Sequence, residues 1–192
     1  QGNNGGDGWV LAELIRERGS DVAVISPHDP ATDAARNACA AYRGTVLDPD
    51  DYRAGEVFVD CLFGSGLTRP LGDTDVALLN RLAAAHHQTV AVDLPSGIDS
   101  DAGVALNSGL PRTNLTVALG AWKFAHWTMP AAALMGEKRL VGIGIGAVAG
   151  AAHLLAKPRF ATPAVDAHKY SRGLLAIVGG AMPGAAQLAA RA

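Results

Sequence analysis

The sequence predicts an α/β fold with a mainly parallel β-sheet that is covered by helices on both faces. Short, almost continuously apolar runs alternate along the chain with longer segments whose apolar residues recur at helical spacing. Strands of a parallel sheet are buried on both faces, so they lack the polar alternation of half-exposed strands. A glycine-rich stretch directly before an amphipathic segment is a further sign of such a fold, because ligand-binding loops often have this form.

The glycine-rich stretch is Gly2–Gly8, with the sequence GNNGGDG. Four glycines in seven positions disfavour the interior of a helix or strand, so we expect a loop here. An amphipathic helix should follow over Trp9–Arg18 and end at Gly19, a typical residue for a helix C-terminus.

The polar residues of this stretch indicate what it could bind. Backbone N–H groups at the start of a helix attract anions, and the amide oxygens of Asn3 and Asn4 could bind a ribose hydroxyl or a hard cation. The alternative is an ordinary flexible loop in which Asp7 serves as the N-cap of the helix.

A loop of this kind normally follows a buried strand, and no strand or initiator methionine precedes Gln1. We therefore expect the first strand of the sheet to be missing and the chain to begin inside a domain. On this interpretation the 192-residue chain is a fragment that is poorly stable alone.

The later elements follow from their apolar patterns. Runs rich in Val, Ile and Leu predict strands, and apolar positions three and four residues apart predict helices. The predicted strands are 21–26, 44–47, 57–63, 88–94, 114–119 and 139–145, and the predicted helices are 31–42, 73–86 and 147–155.

The C-terminal part of the sequence differs in character. Residues 157–173 contain two prolines and several charges with little periodicity, so they are predicted to be a linker. A new strand is expected over Gly173–Gly180, and Pro183 should open a helix that the end of the chain cuts off.

Composition limits the possible partners. The chain is 49% hydrophobic and 18% charged with a net charge of −2, which gives no electrostatic case for nucleic acid or a membrane surface. No apolar run reaches the ~18 residues of a membrane span. Two cysteines, Cys39 and Cys61, provide neither a disulfide framework nor a zinc pattern. They favour a reducing compartment, and we expect a cytoplasmic protein.

Three motifs should meet at one edge of the sheet, because ligands of open α/β sheets bind outside the carboxyl ends of the strands. They are Gly2–Gly8, Asp60–Leu67 (DCLFGSGL) and Asp93–Asp99 (DLPSGID). Asp60 and Asp93 each interrupt an apolar run near its end.

Buried carboxylates are costly unless they are paired or bound to a cation. One such residue could be a satisfied helix cap, but two beside a glycine-rich loop favour a ligand site. With Asp60, neutral oxygens from Asn4 and Ser96 would suit a weakly charged cation with oxygen ligands. Lys123 follows a predicted strand and could lie at the same edge, or it could be a solvated loop lysine.

Ser96 could also suggest a nucleophilic serine, but the GxSxG elbow of serine hydrolases is absent from its surroundings.

These motifs resemble those of the NAD(P)H-hydrate epimerase family, the YjeF N-terminal domain. The resemblance rests on GNNGGDG, on Asp60 followed by FGSGL, and on VDLPSGID, and it continues through Thr116, Lys123 and GIGI at 142–145. It covers about residues 1–150 and implies a Rossmann-like three-layer α/β/α domain.

The tail carries a second resemblance. HKYSRG at 168–173 and PGAA at 183–186 are similar to the start of an ADP- or ATP-dependent NAD(P)H-hydrate dehydratase domain, which is kinase-like. The resemblance implies an epimerase domain over 1–156 and, over 157–192, a linker and the start of the dehydratase, as in bifunctional repair enzymes. ADP or ATP would serve only the missing part of that domain.

The family resemblance also implies site residues. Asp93 would contact the substrate, hydrated NADH or NADPH (NADHX or NADPHX), and act as the catalytic acid or base, while Asn4, Asp60 and Ser96 would bind a potassium ion. It further implies a homo-oligomer in the full-length protein. The dinucleotide would be held by two segments, Asn3, Asn4, Gly5, Gly6 and Asp7, and Gly64, Ser65, Gly66, Leu67, Thr68, Arg69 and Pro70.

Two alternatives stay open at this point. The chain could be a nucleotide-binding module of the same fold without catalysis, or the activity of the protein could reside in the dehydratase half.

Overall fold

A computed structural model describes residues 2–146, 148–159, 161–168 and 170–191. Some predictions therefore touch residues outside these ranges. Gln1 precedes the glycine-rich stretch, Ala147 starts a predicted helix, and Phe160 and Lys169 belong to the predicted linker.

The chain divides into two units by its internal contacts, Gln1–Ala147 and Val148–Ala192. The described residues of the first unit form helices and parallel strands in alternation. In chain order these are α1 (Asn3–Glu17), β1 (Ala23–Ile25), α2 (Asp33–Ala41), β2 (Thr45–Leu47), β3 (Gly55–Asp60), α3 (Asp73–Ala85), β4 (His86–Val92), β5 (Leu115–Leu119) and β6 (Glu137–Val141).

The strands form two sheets, one of β1 and β2 and the other in the order β3-β4-β5-β6. Within each of these sheets, all strand pairings are parallel. Because parallel strands need a crossover connection, α3 links β3 to β4 and α2 links β1 to β2. The α/β fold with a parallel sheet flanked by helices is confirmed, and all carboxyl ends of the larger sheet lie at one edge.

The two sheets do not pair with each other. Among the described residues β1 pairs only with β2 and β3 only with β4, so one edge of each lacks a strand partner. A cavity of about 820 Å³ is lined by β1 and β3 together with apolar residues of α1 and α3. We call this region the open flank. Val57 of β3, which lines it, is 51% exposed.

The prediction of a glycine-rich loop was wrong, because α1 begins at Asn3 and includes the glycines. Packing explains why glycines occupy a helix here. A Cβ at Gly8 would lie 2.8 Å from the Cβ of Cys61, and one at Gly6 would lie 3.2 Å from the Cα of Ala35. The cost of glycine in a helix is about 1 kcal/mol per residue, and here it allows close contact with the segment after β3 and with α2.

The predicted end of α1 at Gly19 is confirmed. Gly19 has a φ of 86°, its N–H donates to the carbonyl of Arg16, and the N–H of Ser20 donates to that of Ile15. This is the hydrogen-bond pattern of a Schellman motif, which satisfies carbonyls at a helix end.

The strands and helices predicted between residues 21 and 145 each overlap an observed element. The sequence did not predict two short 3₁₀ helices, Phe124–His126 and Ala131–Leu134. They carry part of a hydrophobic cluster that lies beside the end of β4. Its fully buried members are Leu94, Ile98, Ala125, Ala131 and Met135.

The second unit contains α4 (Pro183–Arg191), which confirms the predicted C-terminal helix. The predicted strand over 173–180 was wrong, as was the predicted helix for its described residues 148–155. Leu174 and Val178 are 95% and 97% exposed, and a strand is not stable without a partner strand to pair with.

In the part of the chain that the structure describes, no helix combines the length and the apolar character needed to cross a membrane.

Candidate active site

The carboxyl edge of the larger sheet brings the three predicted motifs together. Asp60 is the last residue of β3, and Asp93 directly follows β4. The side chain of Asn4, in the first turn of α1, reaches both strand ends. Its Nδ2 donates to the carbonyl of Phe63 at 2.9 Å and to that of Val92 at 3.1 Å.

Asp60 and Ser96 form the first part of the site. Asp60 is only 4% exposed, and burial raises the pKa of its carboxyl group. Its Oδ1 accepts from the hydroxyl of Ser96 at 2.6 Å and from the N–H of Leu62 at 3.1 Å, while its Oδ2 accepts from the N–H of Ser96 at 2.8 Å. Among the described residues no basic side chain pairs with this carboxylate.

Asn4 supplies a second polar group that lacks a partner within the described residues. Its Oδ1 is buried and has no hydrogen-bond partner among the described residues. Asn4 and Ser96 also share a neighbour, since the hydroxyl of Ser96 accepts from the N–H of Phe63 at 2.9 Å and Asn4 donates to the carbonyl of that residue. A buried carboxylate and an orphaned amide oxygen are the features that a cation with oxygen ligands would satisfy.

The segment Gly64–Pro70 lies next to Asn4. A Cβ at Gly64 would be 3.0 Å from the Cβ of Asn4, so only glycine fits without displacement. The hydroxyl of Ser100 donates to the carbonyl of Ser65 at 3.1 Å, which ties this segment to the loop after β4.

Most residues of the two predicted dinucleotide segments can be reached by a ligand, but three are buried, namely Asn4, Gly6 and Leu67. Leu67 is 8% exposed and packs with Leu71 and Leu79 in a hydrophobic cluster. Gly6 packs on Ala35. The exposed members are Asn3, Asp7, Ser65, Gly66, Thr68, Arg69 and Pro70, and Gly5 and Gly64 are half-buried.

Asp93 is held in an unusual backbone conformation. Its φ is 68°, the left-handed region that non-glycine residues rarely occupy and that Asp and Asn tolerate best. Its side chain is largely buried, with 10% of its surface exposed, and it accepts hydrogen bonds from two residues. Oδ1 accepts from the ammonium of Lys123 and, at 3.3 Å, from the N–H of Leu119.

Lys123 thus lies at the site, which settles the alternative between a site residue and a solvated loop lysine. Its ammonium also donates to the carbonyl of Leu119 at 2.9 Å. Among the described residues the other oxygen of Asp93, Oδ2, has no hydrogen-bond partner, and it is the oxygen that could meet a substrate.

Asp7 adds a second carboxyl group. Asp7 is exposed overall, but partial desolvation of its carboxyl group raises its pKa, and the negative charge of Asp93 raises it further. Asp7 lies three residues after Asn4 on α1, on the same helix face, and Asn4 contacts the main chain just before Asp93. The site therefore contains two carboxyl groups, Asp93 with an ammonium partner and Asp7 with a raised pKa.

The structure places His126 directly behind Asp93. The side chain is fully buried. One ring nitrogen, Nε2, lies 2.7 Å from the carbonyl oxygen of Asp93, and the other, Nδ1, accepts from the N–H of Lys123 at 2.9 Å. Sequence reasoning could not find this residue, because both of its partners are main-chain atoms.

Within the described residues no group of three or more His, Cys, Asp and Glu side chains could hold a metal ion. The candidate cation site therefore consists of one carboxylate and neutral oxygens.

A protein-family model matches this architecture. The model described as "YjeF-related protein N-terminus" matches residues 1–125, about two thirds of the chain.

Several curated proteins are similar in sequence. A bifunctional NAD(P)H-hydrate repair enzyme of Coxiella burnetii is 36% identical over 211 aligned residues, covering 100% of this chain and 43% of the relative. An NAD(P)H-hydrate epimerase of Limosilactobacillus fermentum is 33% identical, covering 61% of this chain and 59% of the relative. An NAD(P)H-hydrate epimerase of Bordetella bronchiseptica is 37% identical, covering 75% and 67%. The chain thus spans about half the length of the first two relatives.

The fold also has a counterpart among solved structures. The crystal structure of the yeast protein ynu0 (YNL200c) aligns with a TM-score of 0.58 and 21% identity, covering 75% of this chain and 64% of the yeast chain. At that identity the likeness concerns the fold alone. The family match and the similar enzymes go further than the fold, and together they show that the chain belongs to the family of YjeF-related protein N-terminal domains.

Proposed function

We propose that this domain interconverts the R and S epimers of hydrated NADH and NADPH, as an isomerase in cofactor repair. The observation that carries the proposal is the Asp93–Lys123 pair at the carboxyl edge of the sheet, beside Asn4 and the segment 64–70. Relatives that cover this part of the chain are named NAD(P)H-hydrate epimerases.

The chemistry requires inversion at C6 of the reduced nicotinamide, which carries the hydroxyl group. Inversion proceeds by loss and return of hydroxide or by ring opening and closure, and both routes pass through a species with altered charge at the ring nitrogen. A fixed carboxylate can stabilise developing positive charge and can exchange a proton with the hydroxyl group. Asp93 provides that carboxylate, and Lys123 keeps its Oδ1 occupied so that Oδ2 is left for the substrate.

Asp7 is suited to the complementary role of proton donor. A carboxyl group with a raised pKa can serve as a general acid beside a carboxylate with another role. Here Asp93 has an ammonium partner, whereas partial desolvation and Asp93 itself raise the pKa of Asp7.

We propose that the dinucleotide lies along the start of α1 and the segment 64–70. The exposed polar groups of both segments support this placement, as do the close contacts at Gly64, where a side chain would displace Asn4. Leu67 and Gly6 would then shape the binding segments from behind rather than touch the ligand.

The residues Asn4, Asp60 and Ser96 would hold a potassium ion. The orphaned Oδ1 of Asn4 and the buried, unpaired carboxylate of Asp60 fit a monovalent cation with oxygen ligands. When bound, the ion would supply positive charge that balances Asp60 and would fix the loop between β4 and Ser96.

The catalytic proposal is tested by Asp93→Asn. Asn tolerates the left-handed backbone but lacks the charge, so epimer exchange, followed by chiral chromatography of NADHX, should slow by at least about 100-fold. The matched control is Asp101→Asn, an exposed carboxylate a few residues away, which should exchange at the wild-type rate. Wild-type exchange in the Asp93 variant would show that Asp93 is not the catalytic group, whereas a wild type without epimer exchange would favour a non-catalytic nucleotide-binding module.

The cation proposal is tested by thermal unfolding in potassium chloride and in tetramethylammonium chloride. Potassium should stabilise the wild type, by about 2.7 kcal/mol at 100 times its dissociation constant, and Asp60→Asn should remove the response. Asp75→Asn is the control, because Asp75 is equally buried but has His28 as its partner. A potassium response that survives in the Asp60 variant would refute the site.

We further propose that residues 157–192 begin a dehydratase domain whose remaining part would use ADP or ATP. Full coverage of this chain by a bifunctional relative supports the order of the two activities. We propose a cytoplasmic homo-oligomer whose partner is the small-molecule substrate. The free thiols of Cys39 and Cys61 support a reducing compartment, and the net charge of −2 gives no support for nucleic acid or a membrane as partner.

A further inference from the structure

His126 joins two parts of the site that are far apart in sequence. Its Nδ1 accepts a hydrogen bond from the N–H of Lys123, and its Nε2 lies 2.7 Å from the carbonyl oxygen of Asp93. Asp93 and Lys123 are also the two residues whose side chains form the ion pair of the site. One imidazole ring therefore contacts the main chain of both partners of a single ion pair.

The shorter contacts favour one tautomer of the ring, because Nδ1 lies 2.9 Å from the N–H of Lys123 and farther, at 3.3 Å, from the carbonyl of that residue. The N–H of Lys123 can donate only to an unprotonated Nδ1, and a carbonyl oxygen can only accept, so Nε2 must carry the hydrogen. Burial lowers the pKa of His126, and the positive charge of Lys123 acts in the same direction. The charged groups that face the ring are Asp93 and Lys123, and the ring edge of Trp122 packs at a centroid distance of 5.3 Å.

The backbone positions of Asp93 and Lys123 both need this support, but for different reasons. Asp93 has a φ of 68°, a conformation that is unfavourable for a non-glycine residue and persists only where its surroundings fix it. Lys123 has a long, flexible side chain, so the position of its backbone decides whether its ammonium group reaches Asp93. A ring that is bonded to both positions fixes the distance between them.

We propose that His126 is a positioning residue. In its neutral Nε2–H tautomer it links the carbonyl of Asp93 to the N–H of Lys123 and holds their side chains in the geometry that the reaction needs. The catalytic part of this inference rests on the proposed epimerase function, whereas the hydrogen-bonded link itself does not.

Two substitutions separate positioning from simple packing. His126→Gln keeps a donor and an acceptor that can reach the same two atoms. His126→Leu fills similar space and removes both hydrogen bonds. The control is Thr116→Val, which removes a fully buried hydroxyl that bonds to the carbonyl of Met135 at 2.8 Å and touches neither Asp93 nor Lys123.

In the native protein we expect His126→Leu to lower kcat by roughly 10- to 100-fold, because small displacements of reacting groups cost rates of that order. KM should change less than about threefold, since the dinucleotide segments are untouched. His126→Gln should recover most of kcat with the pH profile of the wild type. Thr116→Val should lower the melting temperature and leave kcat unchanged.

The proposal is overturned if His126→Leu keeps the wild-type kcat, or if the control loses as much activity as His126→Leu. It is also overturned if His126→Gln loses one limb of the pH profile, because His126 would then carry a proton. Should the Leu variant fail to fold, His126→Asn, which can reach only one of the two main-chain atoms, must give an intermediate kcat for the proposal to survive.

Nitrogen NMR of the His126 ring tests the link without any activity. Between pH 6 and 8 we expect a protonated Nε2 and an unprotonated Nδ1, and the opposite tautomer or a charged ring would exclude the link. If the wild type shows this tautomer but no epimer exchange, the proposed function fails and the link remains.

Discussion

The carboxyl edge of the larger sheet and the open flank differ in how closely their residues are packed. At the carboxyl edge Leu94 and Ile98 are 0% and 1% exposed, and Asp93 and His126 are hydrogen-bonded on both side chain and main chain. At the open flank β1 and β3 line a cavity of about 820 Å³, and Val57 is half exposed.

The comparison shows that the local order around Asp93, unlike the positions of Asn4 and Asp7 on α1, does not depend on a continuous sheet. The groups around Asp93 come from β4, β5 and the 3₁₀ helices, all of which belong to the four-stranded sheet or its connections. The open flank, in contrast, is the region where α1 and β1 face that sheet. Stability at the two regions should therefore respond differently to the same kind of substitution.

The largest effect is expected for Leu94→Ala. Removing a fully buried leucine from the cluster beside Asp93 should lower the free energy of unfolding by about 2–5 kcal/mol. Leu140→Ala, at a position that is 44% exposed on β6, should cost less than about 1 kcal/mol. Urea denaturation measures both, and equal losses would show that these two positions are not packed as described.

Gly8→Ala tests the contact between α1 and the larger sheet. Helix propensity alone would stabilise α1 by about 1 kcal/mol, but the new Cβ would lie 2.8 Å from the Cβ of Cys61. We expect a net loss of about 1–3 kcal/mol from this overpacking. Gly5→Ala is the control, because its nearest neighbour is 4.0 Å away, and it should be neutral or stabilising. Stabilisation at both positions would mean that α1 is not pressed against Cys61.

The pH dependence of stability should report on His126. Its pKa is lowered in the folded protein, so below about pH 6.5 the unfolded chain binds a proton that the folded chain does not. Stability is then lost as the pH falls from about 6.5 towards the folded pKa, with a slope of up to about 1.4 kcal/mol per pH unit. Urea denaturation at several pH values should show a shallower slope for His126→Gln. Identical slopes would contradict a buried, neutral His126.

The smallest effect is expected for Val57→Ala at the open flank, about 0.5 kcal/mol or less, because half of the side chain is already exposed. Val92→Ala, at 8% exposure, should cost about 2 kcal/mol. A loss at Val57 as large as that at Val92 would indicate that the flank is covered in solution.

The sequence predicted the alternation of strands and helices because apolar periodicity reflects burial directly. It also placed Asp60 and Asp93 at strand ends, since a carboxylate in an apolar run is a local signal. It misjudged Gly2–Gly8, where contacts with Cys61 and Ala35 override helix propensity. It also misjudged residues 173–180, where an apolar run has no partner strand among the described residues.

The role of His126 could not be predicted for a different reason. Its partners are a carbonyl and an N–H group, which every residue possesses, so no residue type elsewhere in the chain indicates the contact. Lys123 was a candidate from its place after a strand, but only the folded chain shows that it reaches Asp93.

The left-handed backbone of Asp93 has a consequence for the substitutions that natural variation can sample. Asn and Gly suit this conformation best, so they should be the replacements that preserve the amount of folded protein. Neither has a carboxylate, whereas Glu keeps the charge but suits the backbone poorly. Selection for protein abundance alone would thus favour Asn or Gly at position 93, whereas catalysis requires a carboxylate. Asp is the residue that both suits the backbone and carries the carboxylate. A saturation library scored separately for abundance and for epimer exchange should therefore rank Asn and Gly high in the first assay and low in the second.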